Sequence, residues 1–344
     1  MPSNSNKAII AAAGSRKTQY IVDCVAANRD GRALVTTYTN ENLRQLTNRI
    51  AGANFAVPSH VKLMGWFTFL LNECAKPYQS AVLGDVGLIN GLNFVADRPM
   101  GVARDRNPLK YFLDTHGGVY RNQVSRLAWE ANKLSGGKVV ERIAEIYDHI
   151  YIDEIQDMAG YDLQLLEALL QSSIQVTMVG DPRQATFSTN TNAKNKRYKG
   201  SGIVDWLTGR SGCDLEYRSE SYRCNQAICD FADGLYPDFE RTISKNAEVT
   251  GHDGVFCLGR DEVAGYVNKY DPVILRYNAQ TKTYGFDAMN TGVSKGSTFD
   301  RVLIFPTKPW MKYFKTRDPA DVGSREKLYV AVTRAKYSLA FVIP

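Results

Sequence analysis

The sequence predicts an α/β fold built on parallel β-sheets. Three observations predict it: short β-branched runs recur along the chain, helical spacings separate them, and several runs end at glycine or at acidic residues. Residues 8–12 form the first apolar run, which ends near Gly14, and a polar–apolar helix is expected from 17 to about 28. Residues 33–37 form the second run. Asn40 is placed to cap a helix whose Leu43, Leu46 and Ile50 lie three and four apart. Residues 149–152 and 176–179 are two more strands, each followed by acids. Later runs at 215–217, 255–258, 273–275, 302–305 and 339–343 continue the style. In such sheets ligands gather off the carboxyl ends of the strands, and the chemistry-bearing residues here follow strand ends.

The 344 residues, 44% apolar and 23% charged, suit two compact domains and exclude a disordered or fibrous chain. The net charge of +6 permits a nucleic-acid partner without requiring one. No apolar stretch reaches membrane-spanning length and no secretory leader is read, so a cytoplasmic protein without membrane association is expected. The six cysteines show no CxxC or zinc spacing and are expected to be reduced.

Ala11-Ala-Ala13-Gly14-Ser15-Arg16-Lys17-Thr18 follows a strand and opens a helix, the context of a phosphate-binding loop. Backbone N–H groups there favour an anion, the Lys17 ammonium reaches the outer phosphates, and the Thr18 hydroxyl ligates Mg²⁺. Ala11 and Arg16 stand where the strict pattern has glycine, and the guanidinium of Arg16 either strains the loop or adds charge near the phosphates. Ile150-Tyr-Ile-Asp153-Glu154-Ile-Gln-Asp157 is a strand ending in adjacent carboxylates. One can hold the Mg²⁺ shell while the other orients or deprotonates water. Gly180-Asp-Pro-Arg-Gln184 places an amide on a third strand-end loop, where it can sense a γ-phosphate.

Together these residues resemble the UvrD/Rep-like helicases of superfamily 1. Ala11–Thr18 is similar to that family's first motif, Thr37-Tyr-Thr39-Asn40 to its TFTN element, and Gly65-Trp66-Phe67-Thr68-Phe69 to a further DNA-contacting segment. Asp153–Asp157 resembles DExxQD and Gly180–Gln184 resembles GDPxQ. Ser221-Tyr222-Arg223 resembles NYR, and residues 272–280 resemble VLYRxNAQ. Residues 294–300 resemble SKGLEFD, with Gly296 at the glycine and Thr298 in place of Glu, and residues 329–335 resemble YVAxTRA.

The resemblance implies two RecA-like domains with ATP between them: residues 1–208, with a small insertion at about 78–148, and residues 209–344 without the large accessory subdomain. It implies that Ala13, Gly14, Ser15, Arg16, Lys17, Thr18 and Gly296 bind nucleotide, and that Thr18 and Asp153 hold Mg²⁺. Glu154 would activate water, Gln184 would sense the γ-phosphate, and Arg223 and Arg334 would serve as arginine fingers. No counterpart of the adenine-reading glutamine precedes the loop, which leaves the base preference open.

Strand channels pair cations with stacking rings. Thr39, Asn40, Trp66, Phe67 and Phe187 are the DNA-contact candidates. Two basic–aromatic stretches join them: 183–199, which includes Arg183, and 308–317, which carries Trp310, Tyr313 and Phe314 among lysines. The expected activity is an ATP-dependent motor on single-stranded DNA, 3′ to 5′ by resemblance and weak at unwinding alone. The rivals are a DNA-sensing ATPase subunit beside an effector such as a nuclease, and a non-hydrolysing interaction subunit.

Overall fold

The computed structural model describes residues 6–52, 56–85, 88–210 and 212–343. The fold divides into two compact units. The first holds the chain up to Ile9, Thr18–Gly180 and Phe187–Glu216; the second holds Ile10–Lys17, Asp181–Thr186 and the chain from Tyr217 onward.

The first unit is built on a six-stranded sheet. Its strands are β1 (Asn6–Ala11), β2 (Ala33–Thr37), β3 (Val61–Gly65), β6 (His149–Asp153), β7 (Gln175–Gly180) and β8 (Cys213–Arg218), in the order β3-β2-β6-β7-β1-β8. A separate parallel pair, β4 (Gly91–Asn93) and β5 (Gly118–Tyr120), lies between them in sequence. β2 pairs in parallel with β3 and with β6, and β6 with β7. β2 is buried along its whole length, as its run of apolar and β-branched residues requires. Both strand-edge polar groups of Asn6 are satisfied: its amide donates to Leu170 O and its carbonyl accepts from Val176 N, each at 2.9 Å.

The helix after β2 runs Asn40–Ala51, and its cap is Thr39 rather than the expected Asn40. Thr39 has extended backbone and its Oγ1 accepts from Asn42 N at 3.2 Å, which leaves Asn40 as the first helical residue. The strand predicted around 215–217 is the edge strand β8 of this first sheet.

The second unit carries a wholly parallel five-stranded sheet: β11 (Gly254–Leu258), β12 (Val273–Arg276), β13 (Met289–Asn290), β14 (Phe299–Phe305) and β15 (Ala335–Val342), in the order β11-β15-β14-β12-β13. A short parallel pair, β9 (Glu220–Ser221) with β10 (Ile243–Ser244), precedes it in the chain. One face of the sheet packs on the helices Gln226–Asp233, Lys308–Thr316 and Arg325–Val332 through Phe231, Trp310, Tyr313, Leu328 and Phe341. The other face packs on the helix Val263–Tyr270 through Val263, Tyr266, Leu303 and Ala340. Covered on both faces, the central strands β14 and β15 each end in an unbroken apolar run, residues 302–305 and 339–342.

Candidate active site

In the first unit the catalytic candidates sit at the end of β6. Asp153 closes the strand opposite Val179 of β7 and is almost fully buried. The Thr18 hydroxyl donates to Asp153 Oδ2 at 3.3 Å, so the loop's last residue and the strand-end carboxylate meet. Asp153 Oδ1 accepts from Glu154 N at 3.0 Å. Glu154 has a left-handed backbone (φ +63°), which turns its side chain away from the strand direction. Two amides hold that carboxylate: Asn42 Nδ2 donates to Oε1 at 3.2 Å, and Gln156 Nε2 donates to Oε2. Asn42 was not among the sequence candidates, because no motif spacing singles it out. Gly180 is required here, since a Cβ would lie 2.4 Å from Gln156 Oε1 and 2.6 Å from Ile155 Cγ2.

In the second unit the phosphate loop packs on the segment after β9. Gly14 (φ +77°) leaves no room for a side chain: a Cβ would stand 2.6 Å from Arg223 Cβ and 2.7 Å from Ser221 Oγ. Tyr222 N donates to Gly14 O at 2.9 Å. Arg16, at a position where glycine is favoured, does adopt a positive φ of +63°, and its guanidinium stacks 4.0 Å from the centroid of the Tyr222 ring. The Lys17 ammonium lies over the loop and donates to Ala11 O (3.2 Å) and Ala12 O (3.0 Å). Arg223 donates to Thr333 O at 2.9 Å.

A buried network joins this loop to the Asp181–Gln184 turn and the helix Arg325–Val332. Ala13 N donates to the Tyr329 hydroxyl (3.4 Å), which donates to Asp181 Oδ2 (3.2 Å). Asp181 also accepts from Gln184 Nε2 and Arg183 Nε, each at 2.9 Å. Burial pushes the Asp181 carboxyl up, but the charges of Arg183 and Lys17 and the Gln184 bond outweigh it and hold the group below the usual carboxylate range. Gln184 Oε1 in turn accepts from Arg334 (2.9 Å), whose other donors go to Ser297 O (3.1 Å) and Val330 O (3.0 Å). Gly296 (φ +89°) lies in the same loop as Ser297, between β13 and β14.

The residues present fit a magnesium nucleotide. Thr18 and Asp153 offer the oxygen-only donors that a hard cation takes, and Mg²⁺ characteristically uses one or two protein ligands with phosphates and water. The Ser15 hydroxyl, buried in the loop, has no hydrogen-bond partner among the described residues. Among the described residues no cluster of three His, Cys, Asp or Glu forms an all-protein metal cage.

The strand-contact candidates separate. Phe67 joins a row of rings in the first unit: Tyr38 lies 5.5 Å from Phe67 and 6.4 Å from Phe187, and Phe94 lies 5.7 Å from Phe67. Phe187 and Phe94 are exposed. Tyr38 lies in the Thr37–Asn40 element, whereas Phe94 was not anticipated as a member of this row. Thr39 is occupied as a helix cap and Asn40 is exposed beside it. Trp66 does not face a strand: it is fully buried and its indole N–H donates to Asp162 Oδ1 at 2.8 Å. Arg183 is also withdrawn, buried against Asp181 (2.9 Å) and Asp233 (3.5 Å). Trp310 and Tyr313 belong to the core, and Phe314 packs against it.

Residues 2–190 match the family model of an AAA domain, and residues 138–343 match that of a viral superfamily 1 RNA helicase core domain. Comparison with curated proteins gave no match. Among solved structures, the chain is similar to the arterivirus nonstructural protein 10 helicase, at 16% identity and a TM-score of 0.52, over 98% of this chain and 60% of that one. It is likewise similar to that helicase in complex with DNA, at 15% identity and a TM-score of 0.52, over 98% and 61%. This chain thus spans about 60% of the length of those helicases, and at such identity the likeness establishes the fold. Among the described residues no helix is long and apolar enough to cross a membrane.

Proposed function

We propose, from the premise that this chain belongs to the superfamily 1 helicases, that it is an ATP-hydrolysing motor on single-stranded DNA. The observation that carries the reading is the pairing at the end of β6: Thr18 on Asp153, with Glu154 oriented by Asn42 and Gln156. Thr18 and Asp153 would hold Mg²⁺, which would supply charge neutralisation at the phosphates. Glu154 orients the attacking water and takes its proton. Lys17 leaves its loop carbonyls for the outer phosphates, and the backbone N–H groups of Ala13–Thr18 bind the rest. Gln184 reads the γ-phosphate, and its bond to Arg334 ties that reading to the arginine. Arg223 and Arg334 stabilise the charge that spreads over the transferring phosphoryl group.

The ring row Phe187–Tyr38–Phe67–Phe94 supports stacking of single-stranded bases, which is sequence-tolerant because every base has a π-face. Placement in the UvrD/Rep branch, with 3′-to-5′ movement, is proposed on the motif wording. Hydrolysis measured with and without single-stranded DNA, for the native chain, Lys17→Ala and Glu154→Gln, tests the reading. DNA-stimulated hydrolysis lost in both variants supports it; stimulation that neither substitution alters overturns the site. Strand-stimulated hydrolysis without displacement of a paired strand identifies a strand-sensing ATPase that works beside an effector.

A further inference from the structure

Two buried cysteines stand beside an arginine that the reading above assigns to the transferring phosphoryl group. Cys224 follows Arg223 and precedes Asn225, whose side chain caps the helix Gln226–Asp233; Cys229 lies in that helix. Both thiols are free and buried, and both belong to the second unit. The Cys229 thiol donates to Cys224 O at 3.7 Å and lies within hydrogen-bond reach of the Cys224 sulfur. The Cys224 thiol donates to Thr333 O at 3.6 Å, the same carbonyl that accepts from Arg223 at 2.9 Å.

These surroundings favour a thiolate at Cys224. The bond from the Cys229 thiol and the charges of Arg223 and Arg334 outweigh burial and hold the Cys224 thiol below its usual range. Cys74 is an internal contrast: it is equally buried, and burial and the Glu73 carboxylate push its thiol up. A thiolate with a second thiol in reach turns a two-electron oxidation into a disulfide. The backbone around the pair is tied down. Asn246 Nδ2 donates to Arg223 O and Ser244 Oγ to Cys224 O, each at 2.8 Å, and Asn225 N donates to Lys336 O at 2.9 Å.

We propose that Cys224 and Cys229 are a modification site for hydroperoxides, closing a reversible disulfide that draws Arg223 out of its working position. The Cys224 thiolate attacks one oxygen of hydrogen peroxide. The O–O bond breaks, and the departing hydroxide collects the proton that the thiol gave up and leaves as water. The Cys229 sulfur then attacks the sulfenic sulfur. The S–S bond forms, the S–O bond breaks, and the hydroxide leaves with the Cys229 proton as a second water. Two thiols lose two electrons, and the peroxide gains them. A disulfide holds its sulfurs about 2.05 Å apart, closer than any hydrogen bond, and it removes the Cys224 donor from Thr333 O. Residue 224 must move toward the helix, and Arg223, its neighbour, is pulled with it. The effect on hydrolysis rests on the motor reading; the oxidation does not.

The test exposes the full chain, Cys224→Ser and Cys229→Ser to hydrogen peroxide, alkylates the remaining thiols and digests with trypsin. One tryptic peptide, residues 224–241, holds both cysteines and no other. In the native chain it should become two hydrogens lighter, resist alkylation and revert with dithiothreitol, while Cys74 stays alkylatable. Cys229→Ser should stop at a sulfenic acid on Cys224, which dimedone traps. Cys224→Ser should leave Cys229 alkylatable. Hydrolysis by the native chain should fall about 10- to 100-fold on oxidation, the scale of a misplacement of about 1 Å, and recover with dithiothreitol. Hydrolysis by Cys224→Ser should ignore peroxide.

If the native peptide stays fully alkylatable while the exposed Cys257 oxidises, the site is refuted, and no variant is needed to see it. A disulfide that forms yet leaves hydrolysis within twofold of the untreated chain refutes the coupling to Arg223. Absence of hydrolysis in the untreated chain would overturn the motor reading and the coupling with it, whereas the peptide still decides the thiol pair.

Discussion

Asn42 offers the sharpest test of the hydrolytic site, because its side chain and its backbone do different things. The backbone N–H donates to the Thr39 cap, and the side-chain amide donates to Glu154 Oε1 at 3.2 Å. Asn42→Ala therefore keeps the cap, which is worth about 1 kcal/mol, and removes the Asn42 tether on the carboxylate. A hydrogen bond to a charged acceptor contributes about 1.5–3 kcal/mol. If Glu154 must be held that firmly to aim water, kcat should fall about 10- to 100-fold, since 1.36 kcal/mol is tenfold in rate. KM should hardly move, because Asn42 has no part in the phosphate loop. Asn42→Asp sharpens the distinction. In the first turn of the helix a carboxylate favours the helix dipole, but beside Glu154 it repels. The expected order of kcat is native, then Ala, then Asp, by steady-state phosphate release. A kcat within twofold of native for Asn42→Ala would refute the claim that this amide positions Glu154.

Three further outcomes follow from the same coordinates. Arg16→Gly removes a left-handed arginine that costs about 1–2 kcal/mol, but it also loses the Tyr222 contact and gains unfolded-state entropy, about 0.5–1 kcal/mol each. Urea unfolding should therefore find the variant within about 1 kcal/mol of native, and a double-mutant cycle with Tyr222→Ala should return a coupling of about 0.5–1 kcal/mol. Arg334→Lys cannot serve Gln184, Ser297 and Val330 from one ammonium, so hydrolysis should fall about 10³-fold or more while fluorescent-nucleotide binding persists. Burial of Asp162, only partly offset by bonds from Thr189, Trp66, Ala159 and Asn190, pushes its carboxyl up to about 6 from 3.8. The folded state then holds the proton more tightly, so this group's contribution, of order 3 kcal/mol, is full below pH 3.8 and lost as pH rises through about 6. Urea titrations should show that slope, and Asp162→Asn should flatten it.

The phosphate-loop and strand-end residues were legible because their chemistry demands fixed residue types at fixed distances from a strand end. Asp153 and Thr18, 135 positions apart, meet because Asp153 ends β6 and Thr18 follows β1, two parallel-sheet strands with only β7 between them. The partners that hold them were not legible. Nothing local marks Asn42 as the donor to Glu154, or Tyr329 as the bridge from Ala13 to Asp181; these pairings exist only once the chain is folded.

The misplaced aromatics share a cause that the sequence did contain. Trp66, Phe69 and Leu70 lie at i, i+3 and i+4, and so do Trp310, Tyr313 and Phe314; that spacing is the inward stripe of a helix. The structure buries both sets, with Phe314 at the margin of its core. Phe67 is one position off its stripe, rotated about 100° around the helix, and it joins the open ring row instead. Lys308, Lys312 and Lys315 repeat at four and three on the face away from Trp310, and all three line a cavity of about 470 Å³ in the second unit. Motif resemblance made the first segment look like a strand-binding surface, and composition the second. Periodicity divides each into a half that folds the protein and a half left outside the core, and it is the lysine half of the second segment, without its tryptophan, that faces the cavity.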